Sequence, residues 1–265
     1  MKQFFAVLAF AVLAFACSRN AITGRSQLSL VSEADLQAMA ETQYADFLSK
    51  NRVISSGAPA DMVRRVGSRI ASAVQQYYRD KNIPADDLNN YRWAFNLVEN
   101  PQVNAWCMPG GKVVVYTGIL PVTQTESALA IVLGHEITHA VVGHGRERMS
   151  QELAAQGLGA LGGAALGSST KAAGIFNSVY GIGAQYGVLL PFSRKQELEA
   201  DHYGLIFAAI AGYDPRVAID FWTRMASMKN GQAPPEILSS HPSDAERIQQ
   251  IRDIMPEALT YYAGK

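Results

Sequence analysis

The sequence predicts a mostly helical α+β fold in which a small antiparallel sheet packs beside one largely buried helix. Three observations predict it: several segments open with helix-capping residues, two β-favouring runs flank a Pro-Gly-Gly turn, and residues 123–144 form a proline-free apolar stretch. The chain has 265 residues, of which 48% are hydrophobic and 17% charged, a composition that suits one globular domain. It has 23 basic and 23 acidic residues, so the net charge indicates no nucleic-acid partner.

The N-terminus reads as an export signal. Lys2 is followed by an apolar run that is too short to span a bilayer comfortably, and small residues precede Cys17. We expect residues 1–16 to be a signal peptide, residues 17–31 a lipidated N-terminus and polar tether, and residues 32–265 the folded domain. Cys17 would carry a lipid anchor that holds the protein in the bacterial cell envelope, facing the periplasm. The alternatives are an uncleaved anchor and a plain signal peptide cut elsewhere.

Two helices are predicted before the sheet. The segment Ser32-Glu33-Ala34-Asp35 has capping-box spacing and predicts a helix through about Leu48. A second helix follows Pro59. Its core-facing stripe recurs every four residues and consists of Met62, Val66, Ile70 and Val74.

The sheet is predicted from alternation and turn chemistry. Trp93, Phe95 and Leu97 alternate with other residues, as in a half-buried strand. Farther on, two β-favouring runs, 103–107 and 112–116, flank the turn-forming Pro-Gly-Gly cluster and predict a hairpin.

The apolar stretch that follows carries the most informative motif, His135-Glu136-x-x-His139. The stretch opens with the capping-box spacing Thr123-x-x-Glu126 and has apolar residues at helical intervals. Side chains at i and i+4 share a helix face, so the two histidines can bind one metal. The carboxylate, turned by about 100°, can reach a metal-bound water. This pattern is typical of zinc peptidases. The alternatives are a core histidine pair and a structural zinc site, which has no use for Glu136.

A catalytic zinc needs a third protein ligand. The metzincin pattern fails because Val142 stands where that pattern requires glycine. Downstream, residues 193–196 have capping-box spacing, which places Glu197 in the first turn of a helix and Asp201 one turn later. This arrangement would put Glu197 on the metal and Asp201 behind it, hydrogen-bonded to a ligand histidine.

Two uncharged, glycine- and alanine-rich stretches, 153–170 and 172–193, must be weighed as membrane spans. Their many glycines, with Asn177 and Gln185, keep the hydropathy low for insertion into a bilayer. Closely packed helices or a mobile flap near the site are therefore favoured over membrane association.

The motif His135-Glu136-x-x-His139, followed by Glu197-x-Glu199-Ala200-Asp201, resembles metallopeptidase family 48, which includes the CAAX prenyl endopeptidases and exported bacterial lipoproteins. Two further segments are similar to the family's edge strand and C-terminal histidine motif. They are Asn104-Ala105 with the hairpin to Tyr116, and Ser240-His241-Pro242 with Arg247. The resemblance covers roughly residues 104–248 and points to the exported lipoprotein branch. It implies a zincin-like (gluzincin) metallopeptidase domain over residues 32–265.

The resemblance also implies a role for each site residue. One Zn²⁺ would be held by His135, His139 and Glu197, with Glu197 preferred over Glu199 as the third ligand. Glu136 would act as the general base, and Asp201 would support a ligand histidine.

Substrate contacts and the remaining histidines are less defined. An extended substrate would pair with an exposed strand edge at Asn104, Ala105 and Trp106, unless these residues form an ordinary internal strand. His241 would donate to the developing oxyanion, or occupy the open position of the zinc and restrain activity; the alternative is a helix-capping or surface histidine. His144 is interpreted as a structural or surface residue, and His202, which follows Asp201, is expected to point away from the site.

These features lead to one functional hypothesis and one alternative. The hypothesis is a zinc-dependent endopeptidase that cleaves unfolded or misassembled envelope proteins with broad specificity. The alternative is a chaperone-like or latent envelope assembly factor that binds clients and cleaves rarely. The sequence indicates neither the natural substrates nor the oligomeric state.

Overall fold

The computed structural model describes residues 17–156, 170–180, 192–228, 237–241 and 245–263. The helices are α1 (Glu33–Lys50), α2 (Ala58–Asp80), α3 (Asp86–Asn89), α4 (Leu120–Thr123), α5 (Glu126–Val141), α6 (His144–Ala155), α7 (Thr170–Val179), α8 (Arg194–Ile210), α9 (Val217–Met228), α10 (Ile237–Ser240) and α11 (Ala245–Thr260). The strands are β1 (Cys17–Arg19), β2 (Ser26–Leu28), β3 (Val53–Ile54), β4 (Ala94–Val98), β5 (Ala105–Met108) and β6 (Lys112–Tyr116). Among the described residues, no helix is both long and apolar enough to cross a membrane.

The central sheet has the strand order β3-β4-β6-β5. The predicted hairpin is confirmed, since β5 and β6 pair antiparallel with Ala105 opposite Val115. The expectation of a wholly antiparallel sheet is wrong in one pairing, because β4 and β6 are parallel. The reason is the strand order. The second strand of the hairpin, β6, lies next to β4 and runs in the same direction, whereas β5 lies at the edge of the sheet.

The motif helix α5 lies at the centre of the molecule. All its residues from Ala128 to Ala140 are buried, so it is surrounded by protein on every side, as predicted. The helix is capped by the side chain of Thr125, which accepts from Ala128 N, and not by the predicted Thr123 box. It also ends earlier than the apolar stretch does. Gly143 adopts a left-handed conformation (φ 72°) and separates α5 from α6.

Helices α5 and α8 cross at a contact between two glycines. A Cβ atom on Gly134 would lie 2.6 Å from the carbonyl oxygen of Gly204, and one on Gly204 would lie 2.8 Å from His135 N. The two main chains therefore touch directly. Since α8 opens with the predicted capping box between Ser193 and Gln196, this crossing sets how its first turns face the motif helix.

Two hydrophobic clusters cover the two faces of the sheet. One contains α2, α5, α8 and α9, and includes Phe221, Trp222 and Met225. The other contains α1, α6 and α7. Helix α7 packs on α6 and belongs to the glycine- and alanine-rich region. The rest of that region, 157–169 and 181–191, lies outside the described residues, as does the predicted signal peptide.

The segment expected to be a polar tether is instead packed on the domain. Strands β1 and β2 pair antiparallel, with Cys17 opposite Leu28. Asn20 and Gln27 each donate a side-chain amide to the carbonyl oxygen of Val142, at 2.8 and 3.0 Å. That carbonyl lies at the end of α5, where helices leave acceptors unpaired. The segment packs because it supplies those donors.

Candidate metal centre

Helix α5 presents two imidazole rings to the same buried point. His135 Nε2 and His139 Nε2 lie 3.1 Å apart, and both side chains are almost wholly buried. Burial lowers the pKa of His139 well below its ordinary value, which keeps that ring neutral. Neutral imidazole is the form that binds metals.

Two further residues complete a four-residue cluster. From α8, Glu197 Oε1 lies 3.4 Å from His139 Nε2. His241, just after α10, brings its Nδ1 to 2.9 Å from Glu197 Oε1 and 3.1 Å from His135 Nε2. One ligand atom from each of the four residues lies within 4.8 Å of all the others. Burial raises the pKa of Glu197, but the charges of His241 and Arg247 outweigh burial and lower it well below the usual range.

The donor set fits a tetrahedral cation. Nδ1 of His135 lies beside Asp201 and Nδ1 of His139 beside His144, so in the tautomers that carry the proton on Nδ1 both Nε2 lone pairs face the cluster, 3.1 Å apart. Two facing lone pairs repel unless a cation lies between them. Zinc ligated at about 2.0–2.1 Å separates neighbouring nitrogen ligands by roughly 3.4 Å, close to the separation observed. The cluster can therefore hold a metal.

His135 is supported by a buried ion pair. Its Nδ1 lies 2.9 Å from Asp201 Oδ1, as the sequence predicted. Arg247 from α11 donates to both oxygens of Asp201, at 2.7 Å each, and its guanidinium lies 3.6 Å from the ring centre of Trp222. Burial raises the pKa of Asp201, but the charge of Arg247 and the hydrogen bond from His135 outweigh burial and lower it. Asp201 is thus a carboxylate that accepts the Nδ1 proton.

His139 is supported by residues that sequence reasoning missed. Its Nδ1 lies 3.0 Å from His144 Nδ1, and His144 Nε2 lies 2.9 Å from Glu199 Oε2. Arg25, in the N-terminal hairpin, donates to Glu199 at 2.8 Å. The sequence interpretation of His144 as a structural or surface residue gave it no partner in the site. The turn at Gly143 brings its ring back beside His139.

Glu136 is placed to exchange protons beside the cluster. Its carboxyl group is buried, and burial raises its pKa to about 7. Its Oε1 lies 3.5 Å from His241 Nε2 and has no hydrogen-bond partner among the described residues. A carboxyl group with a pKa near neutrality can both accept and release a proton at physiological pH.

The predicted substrate strand is at the sheet edge but is not exposed. Asn104, Ala105 and Trp106 are all buried. They border a cavity of only about 30 Å³ between β5 and the metal cluster, which Tyr180 and Phe192 also line. The expectation of an exposed edge is therefore wrong for this conformation. The Trp106 ring packs in the other direction, edge-on to Phe47 at 5.1 Å, because successive strand residues face opposite sides.

Comparisons with known proteins give a consistent family. The profile of Peptidase family M48 matches residues 64–255. Mitochondrial metalloendopeptidase OMA1 of Schizosaccharomyces pombe is 34% identical over 242 residues, 89% of this chain and 66% of that protein. Metalloendopeptidase OMA1, mitochondrial, of Homo sapiens is 29% identical over 248 residues, 90% of this chain and 46% of that protein. Beta-barrel assembly-enhancing protease of Yersinia pestis is 34% identical over 164 residues, 60% of this chain and 34% of that protein.

The chain spans about two thirds or less of the length of each of these relatives. The similarity includes both mitochondrial and bacterial proteins. The exported lipoprotein branch, and with it the lipid on Cys17, therefore stays a prediction.

Proposed function

Because the chain belongs to peptidase family M48, as its motifs predicted, we propose that it is a zinc-dependent endopeptidase. Its single zinc ion would be held by His135, His139 and Glu197. The observation that carries the proposal is the convergence of these three ligand atoms beside a buried carboxyl group, Glu136, whose pKa is about 7. A purely structural metal site has no use for that group.

Bound there, zinc supplies Lewis-acid chemistry that polarises the scissile carbonyl and acidifies a water molecule. Glu136 takes the proton from the attacking water and passes it to the nitrogen of the leaving amine. Asp201 holds the Nδ1 proton of His135, so that Nε2 of that ring faces the metal with its lone pair. The buried surroundings exclude bulk water and strengthen each of these electrostatic interactions.

A latent resting form is the second candidate, and the position of His241 favours it. Its ring lies inside the cluster, within hydrogen-bonding distance of both Glu197 and His135. A fourth protein ligand would fill the position that a catalytic metal keeps open for water. The narrow cavity between β5 and the cluster also favours a latent form, since an extended peptide needs more room. On opening, the His241 ring would become available to donate to the oxyanion.

The substrate class proposed is unfolded or misassembled protein. An extended chain that pairs with the main chain of β5 at residues 104–106 would be recognised with little demand on its sequence. The name of the bacterial relative, Beta-barrel assembly-enhancing protease, supports a role in the bacterial envelope. Attachment there through a lipid on Cys17 is supported by the exposure of that residue at the start of β1.

The direct test is hydrolysis of an unfolded casein substrate by the purified mature chain. We expect cleavage that a zinc chelator abolishes and that Glu136→Gln loses while it still binds one zinc per chain. A parent protein that carries stoichiometric zinc and cleaves nothing, even as His241→Ala, would contradict the endopeptidase proposal.

The variant His241→Ala also tests latency. If the ring restrains the parent enzyme, the substitution increases casein cleavage per zinc-loaded molecule. If the ring serves mainly as a donor to the oxyanion, the same substitution reduces the catalytic rate.

A further inference from the structure

We propose that His144, Glu199 and Arg25 are positioning residues for His139, which makes metal retention depend on the N-terminal β1–β2 hairpin. The inference rests on the proposed function only in taking His139 as a metal ligand. It assigns a role to a buried histidine, an acidic residue and an arginine that the hydrolytic reaction does not otherwise use.

The first step is the direction of the hydrogen bonds. Glu199 is a carboxylate that pairs with Arg25, so it can only accept, and His144 Nε2 must carry the proton in their 2.9 Å contact. The neutral ring then has its lone pair on Nδ1. The 3.0 Å contact from that atom to His139 Nδ1 therefore requires His139 to donate. His139 is left with its lone pair on Nε2, the atom that faces the metal cluster.

The second step is the rigidity of the chain. The His144 side chain is completely buried, so its ring has no alternative partner in water. Its position follows from Gly143, whose left-handed conformation starts α6 at His144. A histidine that donates its second nitrogen to a fixed partner is held in one tautomer and one ring orientation.

The third step joins this chain to the N-terminal hairpin. Arg25 forms two hydrogen bonds to Glu147, at 2.6 and 2.7 Å, and two to Glu199, at 2.8 and 3.2 Å. Gln196 donates to the same Glu147 at 2.9 Å. Paired two-point contacts of this kind fix the orientation of both carboxylates relative to the guanidinium. Glu199 is therefore held in place by a residue 174 positions earlier in the chain.

The test measures zinc affinity of the mature full-length chain by competition with a chromogenic chelator. Replacing His144 by leucine removes the acceptor, and we expect zinc affinity to fall about 10- to 100-fold. His144→Asn keeps an acceptor oxygen near the former Nδ1 and should restore most of that affinity. The control is Glu257→Gln, because Glu257 is half exposed, pairs with the part-buried His202 at 2.7 Å, and is not one of the four cluster residues. We expect it to bind zinc like the parent.

A second readout follows the tautomer itself. In ¹⁵N spectra of histidine-labelled metal-free protein, His139 should carry its proton on Nδ1 in the parent and in His144→Asn, and lose that preference in His144→Leu. Arg25→Met should weaken zinc affinity less, by about threefold to tenfold, because it acts through two intervening residues.

Equal zinc affinity of His144→Leu, His144→Asn and the parent would overturn the proposal. So would equal losses in leucine and asparagine, since that result indicates a packing role alone. If His144→Leu does not fold by circular dichroism, Arg25→Met and His144→Asn decide, and parent affinity in Arg25→Met would exclude the link to the hairpin. None of these measurements requires peptide cleavage, so failure of the proposed activity would be recognised separately.

Discussion

The two histidines of α5 bring their Nε2 atoms to the same cluster, 3.1 Å apart, but have different support behind their rings. His135 is backed by Asp201 and Arg247, which are both buried and lie on α8 and α11. His139 is backed by a chain through His144 and Glu199 that ends at Arg25, near the protein surface. One support is closed within the core, whereas the other passes from the core to the N-terminal hairpin. We call the support behind His135 the closed side and the support behind His139 the open side. The comparison shows that a change at the N-terminal hairpin can reach the metal site through the open side but not through the closed side.

The largest expected loss of stability comes from a substitution in the closed side. Asp201→Ala removes the partner of a buried guanidinium and of His135, and we expect the free energy of unfolding to fall by about 3–5 kcal/mol. Urea unfolding of metal-free protein measures this loss. Glu246→Ala, which removes an exposed partner of Arg194, should change stability by less than about 1 kcal/mol. A similar small loss in Asp201→Ala would show that the core does not depend on this pair.

The second-largest loss of stability is expected from a substitution at the crossing of α5 and α8. Gly134→Ala puts a methyl group where the main chain of Gly204 lies, and we expect it to cost about 1–3 kcal/mol and to weaken zinc binding. Gly174→Ala on α7 is the matched control, because nothing lies within 4 Å of the added methyl group. In that helix the substitution should leave stability unchanged or raise it by up to about 1 kcal/mol. Thermal unfolding with and without zinc separates the two variants.

The open side should give a smaller change in stability. Arg25→Met leaves Glu147 and Glu199 without their shared cation, but Glu147 keeps its hydrogen bond from Gln196 and Glu199 keeps the one from His144. We expect a loss of about 1–2 kcal/mol in urea unfolding, well below that of Asp201→Ala. A loss as large as that of Asp201→Ala would mean that the two supports are equally closed.

The smallest expected effect is on the rate at which a thiol reagent labels Cys107. Burial raises the pKa of Cys107 well above its ordinary value, and the nearby charge of Glu136 raises it further. The thiol stays protonated at pH values where an exposed cysteine ionises, so a thiol reagent should label Cys107 in Cys17→Ser only slowly. Because Cys107 and His139 line the same cavity, Arg25→Met should accelerate the labelling if the open side loosens. An unchanged labelling rate would confine the effect of Arg25 to its own ion pairs.

Asp201 and Glu197 could be predicted from the sequence, whereas the pairing of Arg247 with Asp201 and the chain behind His139 could not. Glu197 and Asp201 follow a capping box at fixed helical spacing, so local rules find both. The chain behind His139 depends on a helix break at Gly143 and on a pairing between Arg25 and Glu199 that spans most of the sequence. Local spacing contains no information about either feature.

The same distinction holds for the fold. The helices at Ser32 and Pro59 and the hairpin around Gly110 follow from caps, periodicity and turn residues, and the structure confirms them. The parallel pairing of β4 with β6 depends on which strand lies next to which. The narrow cleft beside β5 depends on side chains that come from α7 and from Phe192. Alternating apolar residues indicate a strand, but they do not indicate its neighbours or what covers it.

The contact between Gly134 and Gly204 sets the distance between α5 and α8 at their crossing, and no side chain lies between the two helices there. Most packed helices lie about 8–10 Å apart, at a separation that varies with the residues between them. Here the direct contact between two main chains fixes the spacing between the His135 motif and Glu197. Substitutions among the surrounding core residues should therefore leave the spacing between His135 and Glu197 unchanged, provided that both glycines are kept.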